Sequence, residues 1–256
     1  HLLSRRQRQM CIRDRDRALE EGVRNSGDTL NYTEVASGRV QDSCEIYHTL
    51  RVPRGGEYTL VLADGTTVYL NAESELRFPK QFRGKNRKVY LTGEGYFDVQ
   101  RNEKQPFIVE AQQVEVRVLG TSFGVRAYTK EENVLTTLIQ GRVNVEADGQ
   151  QVELNPGQQA DFNRGNDRLT VAEVDVEQYV GWKDGRLVFD NKPLEFILEE
   201  LGRWYSFDVF YTNKELKEIP YSLNIKKHED IAHVLKFIER TGKVKFEVNK
   251  NTIIVK

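Results

Sequence analysis

Hydrophobic and polar positions along this chain fall into two regimes. From Tyr58 the period is two: Tyr58, Leu60 and Leu62 alternate with Thr59, Val61 and Ala63. Thr67-Val68-Tyr69-Leu70 resumes the alternation after Asp64-Gly65. Alternation places successive side chains on opposite faces of a strand. Asp-Gly between two such runs predicts a hairpin, because its turn requires positive φ. The signal recurs at Asp148-Gly149, between runs at 141–146 and 151–154, and Asn155-Pro156-Gly157 predicts a type II turn after the second run. Further strands are predicted at Lys88–Leu91, Tyr96–Val99, Phe107–Ala111, Val114–Leu119, Phe123–Tyr128, Val134–Gln140, Gln159–Asn163 and Leu169–Glu173. No segment from 52 to 175 holds a helical period over three turns. Many short strands with turns between them predict a β-sandwich, a barrel or a β-solenoid, and the pattern leaves these alternatives open.

Beyond Tyr179–Lys183 the period changes. Arg186–Phe189 reads as a strand. Asn191-Lys192-Pro193 then opens a helix, with Asn191 near the cap and Pro193 in the first turn. Leu194, Ile197, Leu198 and Leu201 fall at i, i+3, i+4 and i+7. Strands at Phe207–Tyr211 and Tyr221–Ile225 follow. A second helix runs from Glu229 to Arg240, with Ile231, Val234, Leu235 and Ile238 on one face, and strands at Val244–Val248 and Thr252–Val255 close the chain. The order β-α-β-β-α-β-β predicts a compact α+β domain with two helices on one face of a small sheet. The fold class is therefore mainly β: an antiparallel sandwich or solenoid over 52–175, then an α+β domain over 182–256. Residues 16–51 are polar and weakly patterned and read as a linker, with a short strand near Glu45–Leu50.

Composition narrows the function classes. Of 256 residues, 38% are hydrophobic and 30% charged, enough for a folded chain. The formal charge of −1 gives no reason to expect nucleic acid, whose binding needs clustered positive charge. No run of eighteen apolar residues is present, so no membrane span is predicted within the chain. Arg5 to Asp14 match, residue for residue, one reading frame of a transposon-based sequencing adapter, so residues 1–15 are expected to be an artefact outside the fold. That segment carries five Arg against one Asp, which leaves the remainder more acidic than the whole. It also contains Cys11, leaving Cys44 alone without an intramolecular disulfide partner. An adapter fused to an open reading frame predicts a truncated gene, with the true N-terminus and any membrane helix upstream.

Several phrases are familiar. Val52-Pro53-Arg54-Gly55-Gly56-Glu57-Tyr58, Leu62-Ala63-Asp64-Gly65-Thr66 and Leu70-Asn71-Ala72-Glu73-Ser74 resemble the opening of a FecR domain. Leu91-Thr92-Gly93-Glu94-Gly95-Tyr96-Phe97-Asp98-Val99 resembles its central phrase, with Ala expected where Gly95 stands. Gln105–Val109, Val118-Leu119-Gly120-Thr121-Ser122-Phe123 and Gln140-Gly141-Arg142-Val143 continue it in order. Residues 186–256 resemble the domain that follows FecR in regulators of the Bacteroidetes, itself similar to the short signalling domain of secretins and TonB-dependent transporters. The resemblance implies an anti-sigma regulator anchored in the inner membrane. Its periplasmic part senses the signalling domain of a TonB-dependent transporter. Its cytoplasmic N-terminal segment, missing here, holds an ECF sigma factor.

Candidate chemistry is sparse. Some FecR-like regulators resemble proteins that cleave themselves at a Gly-Thr bond, so Gly120 and Thr121 are candidates, the Thr hydroxyl attacking the preceding carbonyl. The alternative is structural, a Gly at a bend with Thr121 bonded locally, and it is favoured because no base is identifiable. His1, His48, His228 and His233 do not assemble a metal site, and no cofactor fingerprint is present. Trp204, Tyr205 and Tyr211 are candidate partner-binding residues, with a core role for some of this aromatic group as the alternative. Binding through an exposed strand edge of the small domain is the better physical expectation. A carbohydrate-binding sandwich is the competing function and predicts exposed, coplanar aromatics on the β domain. An enzyme is least supported.

Overall fold

The computed structural model describes residues 24–26, 28–33, 46–227 and 229–256. The expected adapter segment, Cys44 and His228 lie outside the described residues. The chain divides between Val176 and Glu177 into two compact units.

The first unit contains fifteen strands among the described residues: β1 Arg24–Ser26, β2 Thr29–Asn31, β3 Tyr47–Arg51, β4 Tyr58–Val61, β5 Thr67–Leu70, β6 Glu75–Pro79, β7 Arg87–Asp98, β8 Phe107–Ala111, β9 Val114–Val118, β10 Ser122–Ala127, β11 Asn133–Gln140, β12 Val143–Ala147, β13 Gln150–Leu154, β14 Gln158–Asn163 and β15 Arg168–Glu173. One sheet runs β1-β2-β4-β5-β7-β10-β11-β14-β15, and a second runs β3-β6-β7-β8-β9-β12-β13. The pairings are antiparallel except β2 with β4 and β7 with β8, which are parallel.

Strand β7 belongs to both sheets. Its first half pairs with β6 and β8, and its second half with β5 and β10. The alternation predicts two strands here, and the structure has one of twelve residues. The break in pattern is the bend itself, at Gly93, where φ is +96°. The two inner faces enclose one core, so the unit is a sandwich. Phe97 stacks on Phe123 of its own sheet at 5.2 Å and meets Phe107 of the other at 6.2 Å. Each of these rings is fully buried, stabilising by roughly 2–3 kcal/mol.

The two Asp-Gly turns differ. Asp148 and Gly149 both have positive φ and close the β12–β13 hairpin in two residues. At the first, only Gly65 has positive φ, and the loop spans 62–66. There the Asp64 carboxylate accepts bonds from the Thr66 N–H and hydroxyl. Asn155-Pro156-Gly157 turns as predicted, the Gln158 N–H donating to the Asn155 carbonyl at 3.0 Å. The sheets also reach into the expected linker over 16–51. Leu30 is buried in β2, which pairs with β4, and Leu50 is buried in β3, which pairs with β6. A three-residue strand is too short to show a period.

The second unit begins with helix α1, Glu177–Val180, and a 3₁₀ turn, Gly181–Asp184. Then come β16 Arg186–Pro193, α2 Leu194–Tyr205, β17 Asp208–Tyr211, β18 Pro220–Lys226, α3 Ile231–Glu239, β19 Phe246–Asn249 and β20 Thr252–Val255. From β16 onward the order is the predicted one. The strands form two sheets rather than one: β16 pairs with β18, and β17, β20 and β19 form the other with β17 parallel to β20. Periodicity identifies the apolar face of a strand, not the neighbour that takes its backbone. Leu194, Ile197, Leu198 and Leu201 are fully buried under α2. Asn191 does not cap that helix. It has φ +48° at a bulge in β16, its N–H donates to the Ser222 hydroxyl, and Pro193 holds the cap position. Helix α3 is capped by the Asp230 carboxylate, which accepts from the Ala232 N–H.

Candidate partner-binding site

The phrases that carry the resemblance lie mostly where the chain changes sheet. Residues 52–57 lead from β3 to β4, residues 71–74 from β5 to β6, Gly93 bends β7, and Gly120-Thr121 leads from β9 to β10. Corners free backbone groups from the ladder, and buried ones must find partners. At the β5–β6 corner, Ser74 Oγ accepts from the Glu94 N–H and donates to the Glu94 carbonyl. Asn71 Nδ2 donates to the Glu94 carboxylate at 2.7 Å. Arg126 Nη1 reaches the same carboxylate at 3.4 Å and its guanidinium grips Glu131 at 2.6 and 2.8 Å. These buried polar side chains hold backbone and one another, and their role is architectural.

Gly120 and Thr121 sit at such a corner. A Cβ on Gly120 would lie 2.6 Å from the Arg101 Cα, so only glycine lets the two segments pass. Thr121 is buried, and its hydroxyl donates to the Arg142 carbonyl at 2.9 Å. A carbonyl orients the hydroxyl but takes no proton from it. The purified chain is therefore expected to run as one intact band on a denaturing gel. Thr121→Ala is expected to cost about 1 kcal/mol of stability, one buried hydrogen bond. Two fragments divided at residue 120, absent in Thr121→Ala, would overturn this.

The structure separates the aromatic candidates. Trp204 is 9% exposed, and the Lys227 Nζ lies 4.7 Å from its ring centroid. The Tyr205 hydroxyl donates to the Glu229 carbonyl at 2.8 Å. Burial, aided by Glu229 and Asp230, pushes its pKa up to about 12. Burial also raises the Tyr211 phenol, with Glu195 and Glu199 adding to the shift. None of the three is an open platform. The exposed aromatics are Phe210, at 60%, and Phe237, at 58%.

Phe237 marks a groove that sequence reasoning did not find. Strand β18 pairs with β16 on one side, and among the described residues no strand pairs with its other side. Beside that edge lies a cavity of about 460 Å³, walled by Ser222, Leu223, Asn224 and Ile225 of β18 and by Val234 and Phe237 of α3. His233, Lys236 and Arg240 line it too, with Glu229 among the lining residues as the acid. A signal was present in the sequence: Phe237 is a large apolar residue off the buried stripe of α3. No helix among the described residues is long and apolar enough to cross a membrane.

Comparison with known proteins agrees with this architecture. Residues 48–144 match the FecR protein family and residues 186–255 match the FecR C-terminal domain. Two crystal structures, at 1.65 and 2.50 Å, of a candidate anti-sigma factor from Parabacteroides distasonis ATCC 8503 are similar to this chain. Both share 27% identity and a TM-score of 0.76, over 81% and 82% of this chain and 98% of theirs. No curated protein matches. With the sandwich matched by one domain of the family and the small unit by the other, this chain belongs to the FecR family.

Proposed function

We propose that this chain is the periplasmic part of an anti-sigma factor that acts by binding rather than by catalysis. Two solved neighbours described as anti-sigma factor candidates support the class. The observation that carries the mode of action is the unpaired edge of β18 with the exposed Phe237 beside it. Unpaired backbone groups accept a partner strand, and a neighbouring apolar residue gives that strand somewhere to anchor. In this reading the protein is anchored in the inner membrane of a member of the Bacteroidetes. The small domain receives the signalling domain of a TonB-dependent outer-membrane transporter, and a segment N-terminal to the FecR domain holds an ECF sigma factor. The carbohydrate-binding alternative gains nothing from the sandwich. Among its described residues no aromatic is exposed, and Tyr69 and Tyr96 meet edge to face at 66°.

The test mixes the purified chain with the signalling domain of the transporter encoded beside it. Calorimetry and gel filtration are expected to show a one-to-one complex at micromolar concentration. No heat and no co-elution, together with unchanged sigma-dependent transcription when residues 186–256 are deleted in cells, would sink the proposal.

A further inference from the structure

The β18–α3 groove has a chemistry that selects its occupant. The ladder between β16 and β18 fixes which backbone groups point outward. The Lys227 N–H donates to the Gly185 carbonyl, directly opposite in register, which marks this as a bonded position of the ladder, while the Gly185 N–H turns to the Trp182 carbonyl. Bonded pairs alternate along an antiparallel ladder, so Leu187–Ile225 and Phe189–Leu223 are bonded as well. The N–H and C=O of Asn224 therefore face the open edge, as does the C=O of Lys226, which accepts from the Glu229 N–H just beyond the strand. The outward side chains of β18 here are polar: Ser222, Asn224 and Lys226 are exposed while Leu223 and Ile225 are buried.

The opposite wall is one helical stripe. His233, Lys236, Phe237 and Arg240 stand at i, i+3, i+4 and i+7 and face the groove together. They supply two cationic side chains, an imidazole and an exposed ring. Glu229 is the acidic residue of the lining, and the Asp230 carboxylate is engaged in capping α3. An extended segment lying along β18 sends alternate side chains toward that wall.

We propose that the β18–α3 groove binds an extended acidic segment of a partner protein, which adds to β18 at Asn224, sets an apolar side chain on Phe237 and pairs its carboxylates with Lys236 and Arg240. This rests on the relay reading and specifies the site and charge of the contact. Rim charges mainly steer encounter and discriminate partners, while backbone pairing and the apolar anchor hold the complex.

The probes are two seven-residue peptides, one alternating valine with glutamate and one alternating valine with lysine, matched to the seven residues of β18. They are titrated into the isotope-labelled full chain and followed by NMR. The glutamate peptide is expected to shift resonances of β18 and α3, and to bind about tenfold more tightly than the lysine peptide. Lys236→Glu with Arg240→Glu should reverse that preference. Asn224→Pro removes one outward donor from an edge strand, where proline is tolerated, and should abolish binding while the other resonances stay in place. Should Asn224→Pro unfold the domain, Phe237→Asp gives an independent reading and should abolish binding too. Equal binding of the two peptides, or none at millimolar concentration, overturns the proposal. So does binding unaffected by Phe237→Asp. A concentration-dependent dimer lost in Asn224→Pro would place a second copy of this chain in the groove instead. If the transporter's signalling domain still binds Asn224→Pro and Phe237→Asp normally, this proposal falls and the relay reading stands.

Discussion

Gly93→Ala is expected to destabilise the sandwich by about 3–5 kcal/mol, against the roughly 5–15 kcal/mol by which an ordinary domain stays folded. Two costs combine. At φ +96° an L side chain is strained by about 1–2 kcal/mol or more. The added Cβ would also lie 2.5 Å from Ser74 Oγ and 2.7 Å from Ser74 Cα, inside any real contact. Relieving it pushes β7 away from the β5–β6 corner, and overpacking of this kind costs about 1–3 kcal/mol. The shift would also pull Ser74 from its two bonds to the Glu94 backbone. Gly95→Ala is the control two residues on. Its φ is not positive, and the atoms nearest its Cβ would be in the side chains of Phe97 and Leu70, at 3.2 and 3.4 Å. That change should cost about 1 kcal/mol or less, in keeping with a family resemblance that expects alanine there. Urea unfolding of both variants checks the pair, and equal losses would show that the bend at Gly93 is not constrained as described.

Arg87→Ala should cost a similar amount, about 3–5 kcal/mol, by a different route. Arg87 is 1% exposed. Its Nη1 donates to the Asp64 carboxylate at 2.6 Å and to the Gln100 carbonyl at 2.8 Å, and its Nε donates to the Gln105 carbonyl at 2.8 Å. One side chain thereby ties the β4–β5 hairpin to the segment that leads from β7 to β8. Truncation takes the arginine's bond from a part-buried carboxylate that keeps only its Thr66 donors, and takes the side-chain donor from two carbonyls. Arg87→Lys keeps the charge but cannot reproduce the fork, and should recover only part of the loss. Thermal unfolding ranks the three proteins. A lysine variant as stable as the parent would mean that charge alone, not the fork, holds the corner.

The arginine shows where sequence reading stopped. Asp64 was legible as a turn residue, and its Thr66 bonds are those of a turn. Its ion pair was not, because Arg87 is 23 residues away and nothing local distinguishes it from a surface arginine. Gly93 was legible as part of a family phrase, but as a gap between two strands rather than a bend within one. A missing side chain interrupts an alternation whether or not the strand continues. The candidate site divides the same way. The edge of a small-domain strand was expected on physical grounds. Which strand it is depends on β16 taking only one side of β18, and only the fold brings Lys236, Phe237 and Arg240 beside that edge.

Local pattern accounts for many of the elements: the alternation of the sandwich, the apolar stripes of α2 and α3, the type II turn at Asn155-Pro156-Gly157, and the order of strands and helices in the small domain. These follow from interactions within a few residues, where period and turn chemistry act directly. It takes the folded chain to show that β7 serves two sheets, that the small domain divides its strands between two sheets, that Trp204 is buried while Phe237 is open, and that β18 keeps a free edge among the described residues. Each of these depends on which distant segment satisfies a given backbone edge or apolar face. That outcome is set by competition among all the segments at once, which no local pattern records.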